Sequence, residues 1–239
     1  MVLPCWVLYG KNRKELLKRF AESGISGEKL INMISTLQYI SQPVHLENIQ
    51  AACKAGCRWI QLRIKDAPKS VITRETQLAK TICADYGATL IINDHPHIAK
   101  AVGADGVHVG KNDMTVAEAR KIMNSDAIIG GTANTLQDIL RHVQDGADYV
   151  GLGPYRFTTT KQKLSPILGL EGIYAIMQQL EALGIDIPII AIGGIQAEDV
   201  PDLIRTGIHG IAVSGLLTHA TDKNQLVSSI TNNFQSCNI

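Results

Sequence analysis

VITRETQLAKTICADYGATLIINDHPHIAKAVGADGVHVG, residues 71–110, carries the repeat from which the fold is read. An amphipathic stretch, residues 71–86, leads into an apolar run at 89–92. A helical segment then starts after Asp94 and ends at Gly103-Ala104-Asp105, and a second apolar run follows at 106–109. The runs are short, rich in Ile and Val, and lack polar alternation, the pattern of strands buried on both faces in a parallel sheet. Six more runs of this kind lie at 37–40, 59–62, 127–130, 149–152, 189–192 and 210–213, with amphipathic stretches at 116–123, 136–143 and 172–183 between them. Eight strand and helix units in about 200 residues predict a single TIM (β/α)8 barrel of the α/β class. A doubly wound sheet is disfavoured because Ser41-Gln42-Pro43, after the first strand, is not a glycine-rich turn. Gly-Ala-Asp recurs at 146–148 and Gly-Ile-His stands at 207–209, so strands four, six and eight are each preceded by a glycine helix stop.

The first residues do not follow the repeat. Residues 1–35 are read as an N-terminal helical extension, with a basic amphipathic stretch at 11–20 and a short helix at 27–35 covering the barrel bottom; residues 36–239 form the barrel. The whole chain of 239 residues has a formal charge of +1. Residues 1–36 hold six Lys and Arg against three Glu, leaving 17 cations and 19 carboxylates for the rest. A near-neutral barrel lacks the cationic excess of a nucleic-acid-binding surface, so any anion site is local. At 45% hydrophobic and 19% charged residues the composition is that of a globular chain and excludes bulk disorder. The longest apolar opening, residues 2–9, is broken by Pro4 and follows no charged segment, so a cytoplasmic protein without membrane contact is expected. Cys5, Cys53, Cys57, Cys83 and Cys237 form no CxxC pair and read as core thiols.

In such a barrel, chemistry gathers at the C-terminal ends of the strands. After strand two, Gln61, Arg63 and Lys65 alternate and so share one face, pointing three polar groups inward, where an anion is the natural partner. Strand three ends in Asn93-Asp94 and strand four runs on to Asp113. Neighbouring parallel strands lie about 4.8 Å apart, so the two carboxylates can share a hard cation such as Mg²⁺, or each can cap the helix that follows it. The cationic face on strand two favours a metal diphosphate site. The long aperiodic stretch after strand six, with Thr158, Thr159, Thr160 and Lys161, reads as a binding loop. Glycines after strand seven and the turn after strand eight suit a monophosphate. His108 reads as a barrel-lining residue.

Several of these motifs together resemble the thiamine-phosphate synthase family: IQLRIK at 60–65, IIND at 91–94, AVGADGVHVGKNDM at 101–114, YVGLGP at 149–154, TTTK at 158–161 and IGGI at 192–195. The resemblance runs in order through residues 36–216. It implies a barrel that joins hydroxymethylpyrimidine diphosphate to a thiazole phosphate and releases diphosphate with Mg²⁺. Carried over by position, Gln61, Leu62, Arg63, Ile64, Lys65 and Asn93 match pyrimidine diphosphate contacts, and Asp94 and Asp113 match magnesium ligands. Thr132 stands where a serine beside the pyrimidine is usual. Thr158, Thr159 and Thr160 match thiazole phosphate contacts and Lys161 a diphosphate contact. Gly194 with Val213 and Ser214, or Ser214 with Gly215, matches the phosphate cradle. Lys111, Asn134 and His95 depart from the Gln, His and Arg usual at their positions. Small-molecule substrates are implied, and a homo-oligomer stays open. So do two rival functions, a thiazole tautomerase-like homologue and a non-catalytic thiamine phosphate binder.

Overall fold

A computed structural model describes residues 34–111, 113–157 and 166–236. Eight parallel strands close into a barrel in sequence order: β1 (Leu37–Ile40), β2 (Trp59–Leu62), β3 (Thr89–Asn93), β4 (Gly106–Val109), β5 (Ile128–Ala133), β6 (Tyr149–Leu152), β7 (Ile189–Ile192) and β8 (Gly210–Val213). Helices α1 (His45–Lys54), α2 (Lys69–Asp85), α3 (Pro96–Val102), α4 (Val116–Ile122), α5 (Leu136–Gln144), α6 (Gly169–Ala182), α7 (Val200–Arg205), α8 (Gly215–Thr218) and α9 (Lys223–Ser236) pack around it. The expected eight-unit barrel is therefore the fold. The expected extension lies outside the described residues except for Ile34 and Ser35, which are not helical.

Strand alternation divides the core in two. Leu37, Ile60, Leu62, Leu90, Ile92, Val107, Val109, Ile129, Val150, Ile189 and Ile211 point outward and pack against the helices. Ile40, Trp59, Ile91, Ile128, Tyr149, Ile190 and Ala212 fill the barrel itself, with Ile34. Tyr149 fits only because Gly130 lies beside it: a Cβ there would sit 2.1 Å from the tyrosine ring. The barrel is thus a packed interior that opens only at the strand ends.

The recurrent Gly-Ala-Asp has a double role at the barrel bottom. Gly103 and Gly146 adopt left-handed φ of 72° and 82°, which ends the preceding helix. Asp105 and Asp148 then donate their main-chain N–H to the strand before (Leu90 O, 3.1 Å; Ile129 O, 2.8 Å) and accept that residue's N–H on their carboxylate, both at 2.7 Å. Lys80 and Arg120 neutralise the two carboxylates.

One strand boundary differs from the sequence reading. β5 runs to Ala133 rather than ending at Gly130, because Gly131-Thr132-Ala133 continues the ladder with β6, Thr132 opposite Gly151. Thr132 is therefore a strand residue whose rigid placement comes from the sheet.

Candidate active site

The C-terminal ends of the strands open into a cavity of about 1250 Å³. Of the residues singled out in the sequence, Gln61, Arg63, Lys65, Asn93, Asp94, Asp113, Thr132, Gly194, Val213 and Ser214 line it. Leu62 and Ile64 do not. Their side chains join the outer core against the helices, because they alternate with Gln61, Arg63 and Lys65, so only their main chain is available to a ligand. Val213 likewise packs outward, while Ser214 begins the turn and its hydroxyl donates to Ile40 O at 2.8 Å. Thr158, Thr159, Thr160 and Lys161 lie outside the described residues, as does Asn112, which precedes Asp113.

Asp94 sits where β3 stops, in a left-handed backbone conformation (φ 62°) rare for a residue with a side chain. Its N–H is tied to His108 O at 2.9 Å. Its carboxylate accepts from Lys65 Nζ and Asn93 Nδ2 and lies within hydrogen-bond reach of Asp113. Burial pushes the Asp94 carboxyl up, but the Lys65 ammonium outweighs it and leaves Asp94 below the usual carboxylate range. Asp113 shows the opposite result, held up by burial and then by the Asp94 charge beside it. Gly110 makes room for this contact, since a Cβ there would lie 2.3 Å from Asp113 Oδ2.

Neither carboxylate caps a helix. The residue preceding α3 is His95, and α4 is capped by Thr115, whose hydroxyl and Glu118 form a reciprocal capping box. Two abutting carboxylates with one lysine, paired to Asp94, leave negative charge unmatched, and this donor set of oxygens fits a hard divalent cation. Among the described residues no group of three or more His, Cys, Asp or Glu is arranged to hold a metal.

Arg63 forms no ion pair among the described residues, although its main-chain N–H is held by Ser41 Oγ at 3.1 Å. A guanidinium lining a cavity without a carboxylate partner is prepared for an incoming anion. The loop after β6 is fixed at its root: Arg156 grips Asp199 through two parallel contacts of 2.8 Å and donates to Gly194 O at 2.8 Å. Gly193 and Gly194 let this loop close on β7, since a Cβ on either would lie 2.9 Å from Pro154 or Phe157.

Sequence reasoning missed Ser41 and Gly110, which act only through contacts with residues distant in the chain or across a turn. Two departures from the family pattern also find their partners. Lys111 turns out of the mouth to Asp138 at 2.7 Å, and Asn134 donates to Gly153 O, linking the ends of β5 and β6.

The thiamine monophosphate synthase family model matches residues 32–217, the span that forms this barrel and its mouth. The chain belongs to the thiamine monophosphate synthase family. It is 49% identical over 202 residues to a thiamine-phosphate synthase of Flavobacterium psychrophilum, covering 83% of this chain and 98% of that one. It is 52% identical over 178 residues to one of Phocaeicola vulgatus, covering 74% and 86%. A solved thiamine phosphate pyrophosphorylase from Pyrococcus furiosus superposes with a TM-score of 0.75 at 29% identity, over 87% of this chain and 98% of that one. A 3-hexulose-6-phosphate synthase shares the fold alone, at TM-score 0.64 and 16% identity. Membership makes this protein an enzyme, a transferase of thiamine biosynthesis. No helix among the described residues is long and apolar enough to cross a membrane.

Proposed function

We propose that this enzyme condenses 4-amino-2-methyl-5-hydroxymethylpyrimidine diphosphate with 4-methyl-5-(2-phosphoethyl)thiazole, or its 2-carboxy form, to give thiamine phosphate and diphosphate. The observation that carries the site assignment is Arg63, without an ion pair among the described residues, sharing one cavity with the Lys65, Asp94 and Asp113 cluster. Arg63 and Lys65 bind the diphosphate. Asp94 and Asp113 are the residues that would hold Mg²⁺, which when bound adds Lewis-acid charge to the diphosphate oxygens. Gln61 and Asn93 line the wall on the pyrimidine side, and Thr132 places a hydroxyl beside the ring. Lys161 adds a cation to the diphosphate, and Thr158, Thr159 and Thr160 with Gly194 and Ser214 receive the thiazole phosphate; these assignments rest on the family pattern.

The reaction is a dissociative alkyl transfer. The bond from the exocyclic pyrimidine carbon to the diphosphate oxygen breaks, the electron-rich aminopyrimidine stabilises the resulting cation, and the thiazole nitrogen then forms the new C–N bond. Charge develops mainly on the departing diphosphate, so the protein's contribution is preorganised positive charge at that position rather than a nucleophile or a general base. Asp94 serves this arrangement by holding the Lys65 ammonium in place.

We place the enzyme in the cytoplasm, in keeping with three buried free thiols, Cys53, Cys57 and Cys83. The test is release of diphosphate by the purified protein with both substrates, with and without Mg²⁺. Release that needs both substrates and the metal is expected. Isomerisation of a thiazole phosphate alone would assign a tautomerase, and tight thiamine phosphate binding without turnover would assign a binder.

A further inference from the structure

Two inward residues that the proposed chemistry does not use, His108 at the cavity wall and Tyr149 beneath it, form a hydrogen-bonded column with Thr132. Tyr149 on β6 is fully buried and meets Trp59 edge to face, ring centroids 4.8 Å apart. Its hydroxyl lies 3.0 Å from His108 Nδ1 on β4 and accepts from Gln38 Nε2 at 3.4 Å, and the Gln61 side chain reaches the same oxygen. On the other side of the imidazole, His108 Nε2 is 2.9 Å from Thr132 Oγ1, at the cavity surface.

The buried phenol sets the direction of its bond to the imidazole, and through it that of the bond to Thr132. A phenol oxygen has one proton and two lone pairs. The Gln38 amide donates to it, and the buried O–H needs an acceptor in turn, which His108 Nδ1 provides at 3.0 Å. A neutral imidazole that accepts at Nδ1 carries its proton on Nε2. That N–H donates to Thr132 Oγ1, and the threonine proton is turned away from the imidazole, towards the cavity.

We propose that His108 and Tyr149 are positioning residues that lock the imidazole as the Nε2–H tautomer, so that Thr132 offers its hydroxyl proton to an acceptor atom on the heteroaromatic substrate. The acceptor class is a ring nitrogen of the aminopyrimidine, which rests on the function proposed above. With the other tautomer Thr132 would donate back to Nε2 and could only accept from the exocyclic amine. The buried column thus selects which edge of the ring Thr132 reads.

The decisive experiment joins a spectrum to a mutant cycle. Nitrogen-15 NMR of the ligand-free protein is expected to show His108 protonated at Nε2 and unprotonated at Nδ1; the reverse tautomer overturns the proposal. The spectrum needs no substrate, so it decides the tautomer even if the wild-type protein releases no diphosphate. Tyr149→Phe, which keeps the packing on Trp59, is expected to lower kcat/KM for the pyrimidine diphosphate about tenfold, a typical loss for one coupled hydrogen bond. KM for the thiazole phosphate is expected to stay the same. In a Thr132→Val background the same change is expected to have no further effect, and in Thr132→Ser the tenfold sensitivity is expected to persist. An equal loss from Tyr149→Phe in the Thr132→Val background overturns the proposal, because a merely structural tyrosine would act independently of the hydroxyl.

Discussion

Replacing Asp113 by asparagine is expected to lower turnover and raise thermal stability, two effects of opposite sign from one carboxylate. The Asp113 carboxyl is held above its usual range by burial and by the Asp94 charge, so in the metal-free protein the pair repels. Two unit charges about 4 Å apart interact by about 4 kcal/mol at an effective dielectric of ~20. Asp113 is only partly shielded from solvent and Lys65 already neutralises Asp94, so screening leaves about 1 kcal/mol. The Asp113→Asn amide keeps the shape of the carboxylate without its charge. For a chain of this size 1 kcal/mol moves Tm by about 2–4 °C. No helix cap is lost, because Thr115 and Glu118 cap α4. Turnover goes the other way: by analogy with removal of one oxyanion-hole donor, a fall in kcat of about 10² to 10³ is expected. Melting followed by circular dichroism in the presence of chelator, and diphosphate release titrated with Mg²⁺, measure the two effects. A Tm several degrees lower with turnover within twofold of wild type would refute the reasoning and make Asp113 a structural turn residue.

Other substitutions separate the site from the scaffold. Gly110→Ala places a methyl 2.3 Å from Asp113 Oδ2, so it is expected to displace that carboxylate and lower kcat at least tenfold with an unchanged circular dichroism spectrum. Arg156→Met breaks the two-pronged grip on Asp199; being exposed, the pair is worth at most about 1 kcal/mol, so Tm is expected to move little while KM for the thiazole phosphate rises severalfold in steady-state assays. Arg120→Met takes the guanidinium away from the buried Asp148 carboxylate at the barrel bottom and from the Ala127 and Gly146 carbonyls that it now serves. A loss of about 3–5 kcal/mol in urea unfolding is expected.

Much of the fold was legible because a barrel strand buried on both faces leaves a mark that needs no partner to read. The apolar runs at 37–40, 59–62, 149–152, 189–192 and 210–213 coincide with strands, and the glycines of Gly-Ala-Asp end helices where expected. The end of β5 was not legible, because Gly130-Gly131-Thr132 carries no apolar signal and is held in the sheet by β6 and by the room Gly130 leaves for Tyr149. The inward face of Gln61, Arg63 and Lys65 followed from alternation alone, and the same alternation turns Leu62 and Ile64 away from the cavity.

By itself the sequence determined the eight-unit barrel, the strand ends at which polar groups collect, and the motifs shared with the family, since all three are properties of local order along the chain. Only the tertiary structure showed that Asp94 and Asp113, 19 positions apart, abut one another instead of capping the helices that follow, because β3 and β4 are neighbours in the sheet. It alone placed Tyr149 under His108 and His108 under Thr132, across three strands. Hydrogen-bond direction depends on which groups come within about 3 Å of one another, and closure of the barrel sets those distances.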